Sequence, residues 1–353
     1  MRIEALTNTM VSEELDAFIV TNNANVFYFT GSISEGVLII QTESEPLLLA
    51  PRLNYSVALD QAKGVSVKPY TRANMIEKIY QKCDNEKIQR IGFDELTLKT
   101  YQTLNDLLKT KLEPKIDLIW NMRKIKQEEE ISLMRKASKL ADIGMKAGQE
   151  AMKEGVGENV IAAEIAYAMR KEGAEDYAFP FIVASGPRSA YPHSGVTDRK
   201  LKLGDFITID MGAKYHGYCT DLTRTFIVGH ASEKQEKIYQ TVLEANTTAF
   251  NYIIEDAKCS EVDKVARDII TRKGFGEYFI HGLGHGVGLE VHEPPSMSQN
   301  SDEKLSNGNT VTNEPGIYIH GFGGVRVEDT VLVSNNRPES LTQFPKNIDD
   351  IIV

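Results

Sequence analysis

The chain contains the same strand-forming segment twice. The first copy, residues 204–228, reads GDFITIDMGAKYHGYCTDLTRTFIV, and the second, residues 308–333, reads GNTVTNEPGIYIHGFGGVRVEDTVLV. Each copy has two short apolar runs around a glycine-containing turn, a pattern that predicts a β-hairpin or a meander. Aligning the copies superimposes their acidic residues: Asp210 on Glu314 at an offset of 104 residues, and Asp221 on Glu328 at an offset of 107. The duplication therefore predicts two sets of strands, each carrying two acids at matching positions.

Helical patterns precede both copies, so the repeat extends over about 100 residues and indicates a domain duplication. The helices are predicted at residues 128–151 and 159–171 in the first half, and at 234–256 and 260–273 in the second. Two halves of this kind predict an α+β domain with internal pseudo-twofold symmetry. The four acids are then expected to meet where the two halves join.

The length of 353 residues predicts two domains, which we place at 1–122 and 123–353. In the first, short apolar runs alternate with helical patterns, which predicts a smaller α/β domain. Its strands are expected at Ala17–Val20, Val26–Phe29, Val37–Ile40, Pro46–Leu49, Val65–Pro69 and Ile91–Phe93, and its helices at Asn54–Ala62, Asn74–Lys82 and Tyr101–Leu108.

Composition limits the function classes. The net charge of −10 argues against a nucleic-acid partner, because a phosphate backbone calls for a basic face. No basic-then-apolar segment stands at the N-terminus, and the longest aliphatic runs are too short to span a bilayer. The three cysteines are widely separated and form neither a zinc pattern nor a disulfide framework. We therefore expect a cytoplasmic protein with reduced thiols and no membrane partner.

Four acids at one centre would repel one another and raise one another's pKa values unless cations neutralise them. Two divalent ions would balance that charge. A fifth ligand comes from the glycine-rich stretch 281–293, HGLGHGVGLEVHE, in which His285 offers an imidazole nitrogen. This donor set suits Mn²⁺, Fe²⁺ or Co²⁺, and Zn²⁺ to a lesser degree. Such a pair of ions activates water and polarises a carbonyl, which is the two-metal route to hydrolysis.

These residues resemble the metal motifs of the pita-bread metallopeptidases, in particular those of the prolidase (Xaa-Pro dipeptidase) and aminopeptidase P branch. The motifs that carry the resemblance are Asp210-Met-Gly212, Asp221-Leu-Thr-Arg-Thr225, Gly284-His285-Gly286, Glu314-Pro-Gly316 and Arg326-Val-Glu328. The resemblance spans the whole chain and implies a creatinase-like N-terminal domain followed by a pita-bread domain. One departure is Asn313, where Ile or Val is commoner in the family.

The resemblance also implies a role for each ligand. Asp210 would bind one metal, and His285 and Glu314 would bind the other. Asp221 and Glu328 would bind both. Glu314 would in addition handle the proton of the bridging hydroxide.

The spacing of two further histidines, His193 and His292, does not by itself indicate a functional role. They nevertheless match active-site histidines of the same branch. The resemblance implies that they orient substrate, donate to the developing oxyanion or assist proton transfer to the proline nitrogen. Arg326 is expected to pair with Asp210 and to fix the orientation of its carboxylate. Strand alternation places Thr223 on the same face as Asp221, two residues earlier, so Thr223 is expected close to the metal ligands.

The function implied is hydrolysis of the peptide bond preceding proline in short peptides, by an Xaa-Pro dipeptidase or, as the alternative, an aminopeptidase P. A bond to proline offers no N–H, and a two-metal centre can attack its carbonyl without one. The resemblance also implies two Mn²⁺ ions per subunit and a homodimer. Two other hypotheses stay open: a non-catalytic binding protein on the same fold, and a metal-dependent C–N hydrolase with a non-peptide substrate.

Overall fold

The computed structural model describes residues 2–84, 87–335 and 337–353. The chain forms two compact units that divide between Arg123 and Lys124. Within the described ranges, none of the helices has both the length and the apolar character that a bilayer crossing requires.

The N-terminal unit is built on a six-stranded mixed sheet with the strand order β4-β3-β2-β1-β5-β6. Strand β1 pairs antiparallel with β2 and parallel with β5. The strands are β1 Ala17–Val20, β2 Val37–Gln41, β3 Ser44–Pro51, β4 Ser66–Tyr70, β5 Arg90–Phe93 and β6 Lys111–Pro114. The helices are α1 Arg2–Ser12, α2 Asn23–Thr30, α3 Tyr55–Gln61, α4 Met75–Cys83, α5 Leu98–Leu107 and α6 Ile116–Lys124.

The strand predicted at Val26–Phe29 is wrong, because these residues lie in helix α2. The Asn22 side chain caps the helix by accepting from the Asn25 backbone N–H, and Gly31 ends it in the left-handed conformation with φ of 72°. The aromatic residues between these caps favour strands in general, and here the capping residues and tertiary packing override that preference.

The C-terminal unit contains both copies of the duplicated segment. Its helices are α7 Glu128–Ala151, α8 Glu158–Lys171, α9 Glu233–Phe250, α10 Cys259–Arg272 and α11 Ile348–Ile351. The strands of the first half are β7 Asp176–Tyr177, β8 Ile182–Ser185, β9 Phe206–Met211, β10 Ala213–Tyr215, β11 Tyr218–Cys219 and β12 Leu222–Ile227. Those of the second half are β13 Gly284–Gly286, β14 Glu293–Met297, β15 Thr310–Asn313, β16 Gly316–Ile319, β17 Gly323–Arg326, β18 Asp329–Leu332 and β19 Glu339–Ser340.

Local sequence explains the ends of the long helices. Helix α7 begins with a capping box in which Glu130 accepts from the Gln127 backbone N–H at 2.9 Å. Helix α9 begins with the same device at Ser232. The prediction that α9 extends to residue 256 is wrong, because the chain leaves the helix after Phe250 and turns.

Each copy is an outer antiparallel strand pair with a hairpin inserted between its strands. In the first copy β9 pairs with β12 around the β10–β11 hairpin, and in the second β15 pairs with β18 around the β16–β17 hairpin. Two helices that pack on each other precede each copy, α7 with α8 and α9 with α10. The inner faces of both halves share one hydrophobic core, so the predicted duplication is present in three dimensions.

A buried ion pair joins the two copies. Arg224 of β12 donates to Asp329 of β18 at 2.7 Å, and the two side chains are 1% and 3% exposed. The Arg224 guanidinium also donates to the backbone carbonyl oxygens of Glu328 and Phe344. Since charges this deeply buried are stable only when paired, the contact makes the junction of the copies sensitive to substitution.

Replacing Arg224 by Ala leaves Asp329 buried beside one remaining cation, Lys346. We expect the free energy of unfolding to fall by about 3–5 kcal/mol. The matched control is Arg135→Ala, because Arg135 pairs with Glu339 at the surface, where the side chains are 40% and 46% exposed. Its expected loss is below about 1 kcal/mol. Urea unfolding of both variants measures the difference, and equal losses would contradict the importance of burial at the junction.

Candidate metal centre

The duplicated strands place their acids at corresponding positions. Asp210 lies near the end of β9, and Asp221 immediately precedes β12. Glu314 immediately follows β15, and Glu328 immediately precedes β18. In each copy the two strands pair antiparallel, so the end of the first strand lies beside the start of the second. The four acids therefore belong to the same end of two equivalent strand pairs.

Hydrogen bonds between the copies bring these ends together. The Glu328 backbone N–H donates to the Thr223 carbonyl oxygen at 3.1 Å, and the Thr223 hydroxyl donates to Glu328 Oε2 at 2.6 Å. The Thr330 hydroxyl donates to the Asp221 carbonyl oxygen at 2.8 Å and accepts from the Asp221 N–H at 3.0 Å. Two threonines thus hold one acid of each copy against the other copy.

His285 joins the acids from strand β13. A Cβ on the preceding Gly284 would lie 2.2 Å from the Thr312 carbonyl oxygen, so only glycine allows this close approach of the strands. The His285 Nε2 atom lies 3.3 Å from Glu314 Oε1 and 3.7 Å from Asp221 Oδ2. One potential ligand atom each from Asp221, His285 and Glu328 lies within 4.8 Å of the others.

The electrostatics reflect crowding of like charges. Burial raises the pKa of Asp221 well above its usual value, and the carboxylates of Glu328, Asp210 and Glu314 raise it further. The pKa of Glu328 is raised by the same two effects. Burial would also raise the pKa of Glu314, but the hydrogen bond and charge of His285 lower it to about 2. The protein alone therefore does not compensate the charge of this cluster.

Two carboxylate oxygens of the cluster are buried without a hydrogen-bond partner. Asp210 Oδ1 and Asp221 Oδ1 are both inaccessible to solvent and have no hydrogen-bond partner. A buried polar atom in this condition is costly unless another group satisfies it, and a cation does so directly. Carboxylate oxygens with one imidazole nitrogen are a suitable donor set for divalent transition metals. The residues present therefore fit divalent metal ions.

A cavity of about 590 Å³ opens onto the cluster. His193 and His292 line it together with all five candidate ligands, and Phe179 and Phe181 form part of an apolar wall. The rings of His292 and His285 pack edge to face with their centroids 4.4 Å apart. The structure thus places His193 and His292, whose sequence spacing indicated no role, on the same cavity as the acids.

Residues 132–335 match the metallopeptidase family M24, and residues 2–125 match the creatinase/prolidase N-terminal domain. This chain belongs to metallopeptidase family M24. The family, the two-part fold class and the metallopeptidase activity predicted from the sequence are confirmed, and membership implies divalent metal ions. The assignment of individual ligands and catalytic residues stays a prediction.

Several relatives are similar over the full length. A Xaa-Pro dipeptidase from Pyrococcus furiosus is 38% identical over 351 residues, covering 98% of this chain and 99% of that protein. The crystal structure of the prolidase from Pyrococcus horikoshii OT3 is 38% identical, with a TM-score of 0.93 over 98% of this chain and 99% of that one. An X-Pro aminopeptidase from Thermotoga maritima MSB8 is 33% identical, with a TM-score of 0.89 over 100% of both chains.

In this M24 member the expected contact of Arg326 with Asp210 is present. Arg326 Nη2 donates to Asp210 Oδ2 at 2.6 Å, and Nε donates to the Thr223 hydroxyl at 3.1 Å. The remaining nitrogen, Nη1, donates to the Tyr318 hydroxyl at 2.8 Å, and the distance from that hydroxyl to His281 Nε2 is 2.9 Å. One guanidinium therefore touches both copies and fixes its neighbours by three bonds.

Sequence reasoning missed Tyr318 and His281. The signal for Tyr318 lies in the β16–β17 register, where Arg326 is opposite Gly316 and Tyr318 is two residues further along on the same face. His281 opens the glycine-rich stretch, but nothing in the spacing distinguishes it from a packed histidine.

Glu158 was also missed. Its carboxylate is fully buried and accepts from the backbone N–H groups of Ser185 at 2.8 Å and Thr197 at 3.0 Å. It also accepts a hydrogen bond from Arg188. One carboxylate thus ties both ends of the loop that carries His193, and no local sequence pattern indicates so distant a set of partners.

Replacing Arg326 by Lys keeps the charge and removes the fork that orients Asp210. We expect metal affinity to fall by about 10–100-fold, the usual effect of losing a group that orients a ligand. The control Tyr318→Phe removes one hydroxyl and leaves the Arg326–Asp210 pair, so its loss should be smaller. Metal titration of both variants, monitored by bound-metal analysis, measures this. Unchanged affinity in Arg326→Lys would show that the pair does not orient the ligand.

Proposed function

We propose that this chain is a two-metal Xaa-Pro dipeptidase, which hydrolyses the peptide bond preceding proline. The observation that carries the proposal is that four acids from duplicated strands line one cavity together with His285, with two buried carboxylate oxygens that have no hydrogen-bond partner. The choice of the bond that is hydrolysed rests on the relatives named Xaa-Pro dipeptidase and prolidase, because they match this chain over nearly its full length.

In this proposal Asp210 would hold one ion, His285 and Glu314 would hold the other, and Asp221 and Glu328 would contribute to both. We propose Mn²⁺ as the native metal, with Co²⁺, Fe²⁺ and Zn²⁺ as alternatives. When bound, the two ions lower the pKa of water and polarise the scissile carbonyl. The Arg326 guanidinium keeps the Asp210 carboxylate in position by their 2.6 Å hydrogen bond.

The remaining chemistry belongs to side chains of the cavity. Glu314 takes a proton from the attacking water and returns it to the proline nitrogen, which becomes the leaving group. His193 and His292 face the cavity from two different loops and donate hydrogen bonds to the carbonyl oxygen as charge develops on it. The wall formed by Phe179 and Phe181 offers an apolar surface for the pyrrolidine ring.

A second candidate is aminopeptidase P-type removal of the first residue from Xaa-Pro-Yaa peptides. The similarity to the X-Pro aminopeptidase of Thermotoga maritima favours it. We also retain as proposals the domain limits 1–122 and 123–353, a homodimer and a cytoplasmic location. The presence of all five candidate metal ligands argues against a non-catalytic binding protein on the same fold.

Removing the metal tests the proposed function. We expect the chelated full-length protein to lose turnover of a Xaa-Pro dipeptide by about two orders of magnitude or more, and Mn²⁺ to restore it. Asp221→Asn should bind less metal and remain inactive after Mn²⁺ addition. The matched control is Asp268→Asn, since Asp268 pairs with Lys264 on an exposed helix face. Bound metal and initial rates are measured together, and a chelated protein that keeps its full rate would contradict the proposal.

A further inference from the structure

We infer that Asn246 of helix α9 is a positioning residue for the metal centre and sets the direction in which Glu314 and Glu328 leave the main chain. The inference rests on the proposed function, because it concerns two of the proposed metal ligands. It also gives a role to Asn313, the residue at which the Glu314 motif departs from the family. Hydrogen bonds at both ends of the peptide units that precede the two acids support it.

The side-chain amide of Asn246 binds two main-chain carbonyl groups of the second copy. Its Nδ2 atom donates to the carbonyl oxygen of Asn313 at 2.9 Å and to that of Val327 at 3.1 Å. These two residues immediately precede Glu314 and Glu328 in the chain. Since Asn246 is fully buried, water does not compete for these bonds. One amide group therefore connects the main-chain segments that lead into both acids.

The two peptide units bound in this way are also held at their other ends. The Glu314 N–H donates to the Leu283 carbonyl oxygen at 2.9 Å. The Glu328 N–H donates to the Thr223 carbonyl oxygen at 3.1 Å. Because a peptide unit is planar, bonds at both ends fix its orientation, and that orientation sets the direction of the side chain that follows. Asn246 thus supplies the carbonyl half of this restraint for both acids.

The strand register shows why the Val327 carbonyl needs a donor from outside the sheet. The β15–β18 register ends with Asn313 opposite Asp329. Continuing it by two residues would place Pro315 opposite Val327, and proline has no N–H to donate. The side chain of Asn246 supplies that donor from the helix.

Further contacts fix the orientation of the Asn246 amide. Its Oδ1 atom accepts from Lys346 Nζ at 2.8 Å, and Lys346 also donates to Asp329 at 2.5 Å. A lysine only donates and a carbonyl oxygen only accepts, so the reverse orientation of the amide would lose all three of its bonds. The Asn313 side chain returns a bond, because its Nδ2 atom donates to the Asn246 carbonyl oxygen at 2.9 Å. The two asparagines therefore join helix α9 to strand β15 in both directions.

Replacing Asn246 by Ala in the full-length protein tests the inference. Alanine has the highest helix propensity, so it preserves helix α9 while it removes both donors. We expect the Mn²⁺ affinity, measured by calorimetric titration of the metal-free protein, to fall by about tenfold or more, the usual effect of losing a group that orients a ligand. We also expect the visible absorption of the Co²⁺-loaded protein to change, because it reports the geometry of the ligands. A loss of stability alone leaves that spectrum unaltered.

Asn246→Asp repeats the test without creating a cavity, so it applies even where Asn246→Ala does not fold. The variant keeps an oxygen beside Lys346 and turns its second oxygen towards the two carbonyl groups in place of the N–H groups. We expect its Mn²⁺ affinity to fall at least as far as that of Asn246→Ala. Circular dichroism confirms that a variant is folded before it is titrated.

Two control variants separate positioning from stability. Asn313→Val removes one side chain of the pair and keeps both carbonyl groups that Asn246 binds, so its loss of Mn²⁺ affinity should be the smaller one. Asn25→Ala removes an amide of the N-terminal unit that is 1% exposed, donates to Asp94 at 2.9 Å and accepts from Arg123 at 2.6 Å. It should lower the free energy of unfolding and leave the Mn²⁺ affinity unchanged. A loss of affinity in either control equal to that of Asn246→Ala would overturn the inference.

The wild-type protein separates the inference from the proposed function. If the wild type binds Mn²⁺ and hydrolyses a Xaa-Pro dipeptide, and the folded Asn246 variants match its affinity and its Co²⁺ spectrum, the inference alone is overturned. If the wild type binds no Mn²⁺ or leaves the Xaa-Pro bond intact when loaded, the proposed function is wrong, and the inference that rests on it is withdrawn as well.

Discussion

Repulsion among four acids, two of them buried and two half-buried, is the constraint on which the rest of this structure depends. Asp210, Asp221, Glu314 and Glu328 come from two copies of one strand arrangement and line one cavity with His285. Burial and mutual repulsion raise the pKa of two of these acids, while two carboxylate oxygens find no hydrogen-bond partner. Such a centre suits bound cations, because cations offset the repulsion among the carboxylates and satisfy the two unpartnered oxygens.

The protein limits this cost with other buried charges that orient the elements around the site. Arg326 pairs with Asp210, and its third donor reaches the tyrosine of the neighbouring strand. On the second half, the fully buried Asp263 accepts from the Leu283 backbone N–H at 2.9 Å and pairs with Arg267 at 2.9 Å. Arg267 in turn donates to the His281 carbonyl oxygen at 2.7 Å. These contacts hold the glycine-rich stretch where its imidazole can reach the acids, at positions that no catalytic step uses.

The cavity is organised in a similar way, with structural contacts made by residues other than those that face it. The loop that carries His193 is tied down by Glu158, so the histidine is free to face the cavity without serving as a structural anchor. Across the strand pair from His285 lie the hydroxyls of Ser296 and Ser298, and a hydroxyl can both donate and accept a hydrogen bond. The strongly charged Arg326 is thus used for holding Asp210, while Ser296 and Ser298 present neutral hydroxyls to the cavity.

The sequence by itself determined the acids, the histidine ligand candidate, the duplication and the α+β class, because strand alternation, glycine spacing and helical periodicity are local patterns. It also located helix α7 at Glu128–Ala151, where a capping box and an amphipathic stripe agree. It misassigned the aromatic helix α2, whose caps outweigh strand preference. Only the tertiary structure decided that Tyr318 supports Arg326 and that Glu158 anchors a loop. The physical reason is that these contacts join segments that are distant in sequence, and packing alone selects which buried donor meets which buried acceptor.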